Sequence, residues 1–172
     1  TFKSINKSAE ILNKLKVSDK IYSVQGILFQ DSGYDGVPNI RQVGLYSNLV
    51  YLSGKNLNFS LGGRINNHQT YGNFLTYSLN PSYNFNFKES QNVKIFATLN
   101  SAFIAPSLYQ LYDSYSGNEN LLPEESISKE IGIETINKKR NLSIVFFERK
   151  ENPKIIYEYD FSTFTGGYIN TP

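Results

Sequence analysis

From residue 75 to residue 87 the chain alternates without a break. Leu75, Tyr77, Leu79, Pro81, Tyr83, Phe85 and Phe87 fill one set of positions, and Thr76, Ser78, Asn80, Ser82, Asn84 and Asn86 fill the other. A period of two predicts a strand with one apolar and one polar face. Every polar position is small or an amide, and none is charged. Pro81 lacks a backbone N–H, which predicts a bulge there or a position whose N–H would point away from the ladder. Similar strand patterns cover residues 21–29, 42–53, 57–64, 93–100 and 127–136. Residues 8–17 suit helix or strand by composition. The tight Ser18-Asp19-Lys20 turn into another β-rich run favours strand. Residues 142–159 read as one long strand interrupted at Asn152-Pro153, and Tyr168 begins another.

The connections alternate in length. Short turns fall at Ser18, Gly54, Lys88 and Asn137. Longer polar loops fall at residues 31–38, 66–73, 105–123 and 161–167. Gly, Asp, Asn and Pro mark these breaks. A meander with turns at one end and loops at the other is the plan of a bacterial outer-membrane barrel. Strands of ~9–11 residues cross the hydrocarbon when tilted. The expected fold is all-β: an antiparallel up-and-down transmembrane β-barrel, partial, with roughly eight strands of a larger barrel. Essentially no helix is expected. No linker divides the chain, so residues 1–172 read as one barrel segment.

The longest connection also carries a family resemblance. Phe-x-Ala-Pro-x-Leu-x-Gln-Leu-Tyr runs from Phe103 to Tyr112. Gly117-Asn118, Leu122-Pro123-Glu124, Ser126 and Glu130-x-Gly132 follow. This spacing resembles the barrel of TonB-dependent outer-membrane receptors, most closely the cobalamin and ferric-siderophore group. Residues 64–83 resemble the strand-loop-strand before that segment. Ala9-Glu10 through Ser18-Asp19 and Gly26 is similar to an earlier hairpin, and Ile155-Tyr157 with Tyr168-Asn170 to the one that follows. The resemblance implies a barrel of about 22 strands, placed in the outer membrane of a Gram-negative bacterium. It implies outer-membrane lipid around the barrel, a large scarce nutrient at its outer loops, and the TonB system acting through a plug. The chain shows no plug, no TonB-box region and no C-terminal strand ending in an aromatic residue, so a middle slice of such a barrel is expected.

Composition narrows the chemistry. The chain has 172 residues, a net charge of +2, no Cys and no Met. That charge is too small to point to nucleic acid. The lack of Cys removes disulfides and thiol catalysis. Mean hydropathy is -0.38, which looks soluble, but barrel strands hide their hydrophobicity in alternation. The abundance of Tyr (13) and Phe (12) suits strands apolar on one side and wet on the other.

No catalytic site, cofactor or metal centre is expected. His68 is the single histidine. In an Asn-rich loop it reads first as solvated and second as a ligand contact. Asp31 and Asp35 offer too few oxygens for calcium and read as turn formers. Glu124 and Glu125 are adjacent on a strand, so they point to opposite faces and do not converge as an acid–base pair. Glu130 and Glu134 fall on the polar face, where water or a plug would meet them. The Lys138-Lys139-Arg140 run reads as a solvated turn. The ligand-contact candidates are Tyr109, Tyr112 and Tyr115 in the long loop, with His68 and Tyr71 in the loop before it. Tyrosine offers a broad apolar face with a polar tip; loop packing or an interfacial belt is the structural reading of the same residues. Two other architectures fit parts of the pattern: a complete eight-stranded barrel with a structural or adhesive role, and a soluble β-sandwich or lectin-like binder whose apolar faces meet in a core.

Overall fold

A computed structural model describes residues 3–34, 36–54, 56–87, 91–137 and 140–172. The expectations for Asp35, for Lys138 and Lys139, and for much of the turn at Lys88 fall outside the described residues. The strands are β1 (Ser4–Lys16), β2 (Ile21–Tyr34), β3 (Val37–Leu52), β4 (Leu57–His68), β5 (Gly72–Phe87), β6 (Gln91–Ile104), β7 (Glu124–Asn137) and β8 (Asn141–Glu151). One short helix, α1 (Leu108–Tyr112), lies between β6 and β7, and β9 (Lys154–Asp160) and β10 (Thr165–Thr171) follow. Strands β1 to β8 form a single sheet in sequence order. Each pair is antiparallel. Among the described residues β1 and β8 do not pair, so the eight strands do not close on themselves. The reading as a complete eight-stranded barrel is corrected on that ground.

The register shows why residues of one type line one face. Leu49, Leu61, Leu79 and Leu99 stand opposite one another across β3 to β6. One step along, Asn48, Gly62, Ser78 and Asn100 do the same, followed by Ser128 on β7. A slip of one residue in any strand would interleave the two rows. The apolar face is laid open: Leu45, Leu49, Leu61, Ile65, Leu75 and Ile131 are all exposed. No second sheet covers it among the described residues, which rules against the sandwich reading. The polar face is the more shielded one, with Asn66 and His68 buried on it, as on the concave side of a curved sheet. At the turn end of the apolar face the Tyr83, Phe85 and Phe87 rings run in series, with centroids 4.7 and 6.2 Å apart. Aromatic residues at the rim of the apolar band make up the girdles of outer-membrane barrels.

Several boundaries differ from the pattern-based reading. Strand β2 runs on to Tyr34 and β3 starts at Val37, and these two residues pair. Strands β4 and β5 leave only residues 69–71 between them. Polar, Gly-rich stretches read as loops are therefore hairpin extensions. Their backbone bonds are made across the ladder, so they need no apolar face. Gly72, at φ 72, supplies the left-handed step that closes the second of these hairpins. At Pro81 no residue is inserted. Phe59 pairs with it on one side, while partners toward β6 lapse between Leu79 and Ser82 at unchanged register. The missing N–H costs a stretch of ladder instead of creating a bulge. Residues 142–159 are two strands. Strand β8 stays with β7, whereas β9 leaves the sheet after Pro153 and pairs with β10. The last loop is confined to residues 161–164, because β10 starts at Thr165. Helix α1 was not anticipated; its five residues amount to less than two turns.

Candidate functional site

Buried apolar side chains sit in the connection between β6 and β7. Leu111 is 3 % and Leu121 2 % exposed. The sequence builds this connection step by step. Pro106, buried, ends β6. Ser107 caps α1: its hydroxyl accepts from the Gln110 amide at 3.2 Å, and the Gln110 side chain accepts from the Ser107 amide at 2.8 Å. This reciprocal pair is a capping box, and it turns Leu111 inward. Asp113 then closes the next turn. Its Oδ2 accepts from the Ser116 hydroxyl at 2.7 Å and from the amides of Ser116 and Tyr115 at 3.0 and 3.3 Å. The Ser116 hydroxyl, helped by the two amides, holds the Asp113 carboxyl below its usual range against the opposing effect of burial. Gly117 is required by contact: a Cβ there would lie 2.5 Å from the Asp113 carbonyl oxygen.

The loop is fastened to the β9–β10 hairpin. Tyr168 N donates to Ser116 O at 3.1 Å, and Asn118 Nδ2 donates to Tyr168 O at 2.8 Å. Asn170 bonds both backbone groups of Leu122, accepting from its N–H at 2.7 Å and donating to its carbonyl at 3.0 Å. Glu124 Oε1 accepts from Ile155 N at 2.7 Å. Glu124 and Glu125 begin β7 on opposite faces, and Glu124 works as a tie to β9. Glu134 lies 3.8 Å from Lys94.

Helix α1 leans over the polar face of β1 to β4 and covers one side of a half-open cavity of about 500 Å³. Asn6, Gln30, Gln42, Tyr34, His68 and Tyr109 line it. Tyr109 meets Tyr34 edge-on with centroids 6.5 Å apart and Tyr168 at 6.3 Å. The cavity wall mixes amide, phenol, hydroxyl and imidazole groups with the apolar side chains of Ile40, Pro106 and Leu108, and no charged side chain is among its lining residues. Such a surface can hydrogen-bond and stack on a neutral or weakly charged ligand without a fixed ionic partner.

The sequence-predicted residues separate into three situations. His68 is not solvated: it is 6 % exposed. Its Nδ1 accepts from the amides of Thr70 and Tyr71 at 3.2 and 3.3 Å, and its ring lies 5.0 Å from that of Tyr71. The strand runs on through Asn66 and Asn67, so His68 faces the cavity and closes its own hairpin. Tyr71 donates to the Leu121 carbonyl at 3.0 Å. Burial, and then the neighbouring Tyr112 hydroxyl, push its phenol upward in pKa. Tyr71 and half-buried Tyr112 thus pack the underside of the loop. Tyr109 lines the cavity. Tyr115 stands apart at 93 % exposure. Asp31 accepts from Asn39 at 2.7 Å and lies 3.6 Å from Arg41, so it serves cross-strand pairing. Asn6, Gln30, Tyr34 and Gln42 were missed by sequence reasoning. Their signal was strand parity, hidden for Gln30 and Tyr34 by reading the end of β2 as loop.

Compared with known proteins, the chain matches the family described as TonB dependent receptor-like, beta-barrel over residues 12–171. It is 33 % identical over 107 residues to the vitamin B12 transporter BtuB of Vibrio cholerae, covering 62 % of this chain and 16 % of that protein. Against the transporter of the same name from Vibrio vulnificus the identity is 41 % over 69 residues, covering 40 % of this chain and 10 % of that protein. The siderophore receptor PirA from Pseudomonas aeruginosa superposes with a TM-score of 0.75 at 24 % identity, over 91 % of this chain and 33 % of the receptor. The ferric enterobactin receptor PfeA from Pseudomonas aeruginosa, solved as a mutant with enterobactin, gives 0.73 at 19 % identity, over 91 % of this chain and 28 % of the receptor. The chain therefore spans a minor part of each.

Proposed function

The chain belongs to the TonB-dependent receptor-like β-barrel family, which matches it from residue 12 to residue 171, and on that premise we propose that it forms wall and mouth of an outer-membrane active transporter for a large, scarce nutrient such as cobalamin or a ferric siderophore. Residues 1–172 supply barrel wall and loops. Energy reaches the transporter from the TonB system through a plug carried on another part of the receptor. Outer-membrane lipid of a Gram-negative cell covers the apolar face, and the connection between β6 and β7 faces the outside. The work is capture and passage, with no covalent chemistry.

The observation that carries this reading is the cavity beneath α1. Its volume of about 500 Å³ is within the ~300–1,000 Å³ typical of ligand pockets. It opens on the polar face, where a solute passing through the barrel would travel. Tyr109 and His68 belong to its lining, and exposed Tyr115 stands above as a first contact. Tyr71 and Tyr112 hold the loop in place. The test uses the intact receptor that contains this chain, with cyanocobalamin and ferric enterobactin as probes. Tyr109→Ser and Tyr115→Ser should each weaken binding of one probe while the barrel keeps its thermal transition. Tyr112→Ser should lower thermal stability first. Unchanged binding of both probes in Tyr109→Ser and Tyr115→Ser would leave the loop with a packing role and sink the capture reading.

A further inference from the structure

The hairpin tip between β4 and β5 is residues 69–71, and its bonds divide between two strands. Gln69 is tied to β3. Its amide donates to the Arg41 carbonyl at 3.0 Å, and its side chain accepts from the Arg41 amide at 3.1 Å. Thr70 and Tyr71 are tied to β4 through a single atom, since both amides donate to His68 Nδ1. Tyr71 then carries the tip to the loop above it, because its hydroxyl donates to the Leu121 carbonyl. Leu121 belongs to the small buried core of that loop. His68 therefore links strand β4 to the loop core by way of the tip.

This bonding fixes the proton on the imidazole. A neutral ring has one N–H and one lone pair. Two amides donating to Nδ1 place the lone pair there and the hydrogen on Nε2. A second proton has only Nδ1 to go to, between the two amide N–H groups. It turns the shared acceptor into a donor. Thr70 and Tyr71 then lose their partner, while Gln69 keeps its own.

The surroundings oppose a charge on this ring. His68 is buried, and burial lowers its pKa below the ordinary value, with no carboxylate acting against it. The groups set against it carry no charge. Gln42 pairs with it from β3 and Gly72 from β5. Tyr34, Leu108 and Tyr109 line the cavity with it. Arg41 belongs to the other face, where it meets Asp31. The nearest charge on the same face of β4 is Arg64, itself a cation, bonded to Asn66 between the two. The Tyr71 ring, 5.0 Å away, offers an imidazolium some π contact but no acceptor for the amides.

We propose that His68 is an acid-released latch on the loop between β6 and β7. Neutral, it holds the tip so that Tyr71 reaches Leu121. Protonated, it frees Thr70 and Tyr71, and the loop over the cavity loses its tie to the β4–β5 hairpin. The folded ring takes up its proton later than the open one. The contribution of the latch is therefore complete above about pH 6.5 and is lost as pH falls from there through the lower folded value.

The experiment takes the intact receptor without ligand and follows amide exchange from about pH 7.5 to about pH 4.5, corrected for the intrinsic pH dependence of exchange. In the unmodified receptor, protection at Thr70, Tyr71 and Leu121 should fall about tenfold, as for the loss of one net hydrogen bond. The Ser116 amide, bonded to Asp113, should keep its protection over this range. His68→Asn takes up no proton and should show no such step. Tyr71→Phe keeps both bonds to Nδ1 and removes the tie to Leu121, so the step should remain at Thr70 and vanish at Leu121. An equal step in His68→Asn assigns the titration to another group and overturns the latch. Full protection of Thr70 and Tyr71 at the acid end in the unmodified receptor overturns it as well. A step that still reaches Leu121 in Tyr71→Phe breaks the link from tip to loop. No ligand enters these measurements, so the latch fails or stands separately from the capture reading.

Discussion

The wall and the loop of this molecule use leucine in opposite ways. In the wall, Leu49 and Leu61 stand side by side and both are exposed. In the loop, Leu111 and Leu121 are turned inward and are almost wholly buried. The wall is stable without an apolar interior because its backbone bonds are made between strands and its apolar face meets lipid. The loop stands in water, so it needs a small core, a capping box and side-chain ties of the kind found in a soluble domain. Sensitivity to substitution should therefore invert between the two regions. Removing hydrocarbon should damage the loop, and adding charge should damage the wall.

The largest effect is expected at Leu121. Leu121→Ala leaves a cavity under the loop and should cost about 2–5 kcal/mol of loop stability. Hydrogen exchange in the intact receptor should show residues 105–123 and β10 losing protection together, because Asn118, Leu122, Tyr168 and Asn170 join them. Leu61→Ala, on the exposed wall face, should leave that protection unchanged. If both variants loosen the loop alike, the contrast between the two regions fails.

The wall answers to charge. Leu79→Lys near the middle of the apolar face should cost ~2–4 kcal/mol in a bilayer. Asn80→Lys, on the polar face one residue away, should cost much less. Urea titration of the receptor in liposomes measures both. Equal costs would mean that the two faces do not meet different media.

These two regions were also unequally legible in the sequence. The wall could be read because a strand with lipid on one side and water on the other writes its two faces directly into alternation, as residues 75–87 do. The hairpin ends of β2–β3 and β4–β5 could not be read the same way. Past the end of the apolar rows neither face is apolar, so alternation vanishes and Gly33, Gly36, Asn66 and Asn67 look like loop. The loop core was hidden for another reason. Leu111 and Leu121 are ten positions apart and carry no period, and the helix that carries Leu111 is marked in the sequence by nothing beyond the spacing of its capping pair, Ser107 and Gln110. His68 shows the same limit, since its neighbours suggested solvent while its parity on β4 placed it under the loop. Tyr109 was singled out for its chemistry, but its amide neighbours in the cavity come from strands far away in the chain.

A smaller effect should separate the loop's ties from its core. Asn170→Ala removes both hydrogen bonds to Leu122 while leaving Leu121 packed. Each bond contributes about 0.5–1.5 kcal/mol, so the hairpin should unfasten locally before the loop core opens. Exchange should rise at Leu122 and across β10, with the Leu111 amide still protected. A loss at Leu111 equal to that in Leu121→Ala would mean that loop and hairpin form one unit.

The last difference concerns pH. The wall's apolar face offers few titrating groups, whereas the loop turn is held by the carboxylate of Asp113. Its pKa is depressed in the folded loop, chiefly by the Ser116 hydroxyl. A depressed carboxyl contributes its stability above the unfolded value, about 3.9, and loses it as pH falls through the lower folded value. The turn at residues 113–117 should therefore hold from neutral pH down to about pH 4 and loosen below it, while the ladders of β3 to β6 stay protected. Asp113→Asn keeps an acceptor oxygen without the charge. It should be weaker at neutral pH and lack the acid-dependent step. Exchange at the Ser116 amide, corrected for the intrinsic pH dependence of exchange and followed from pH 7 to pH 3 in both proteins, reads this out. The same acid step in Asp113→Asn would assign the titration to another group and remove Asp113 as the pH-sensitive part of the loop.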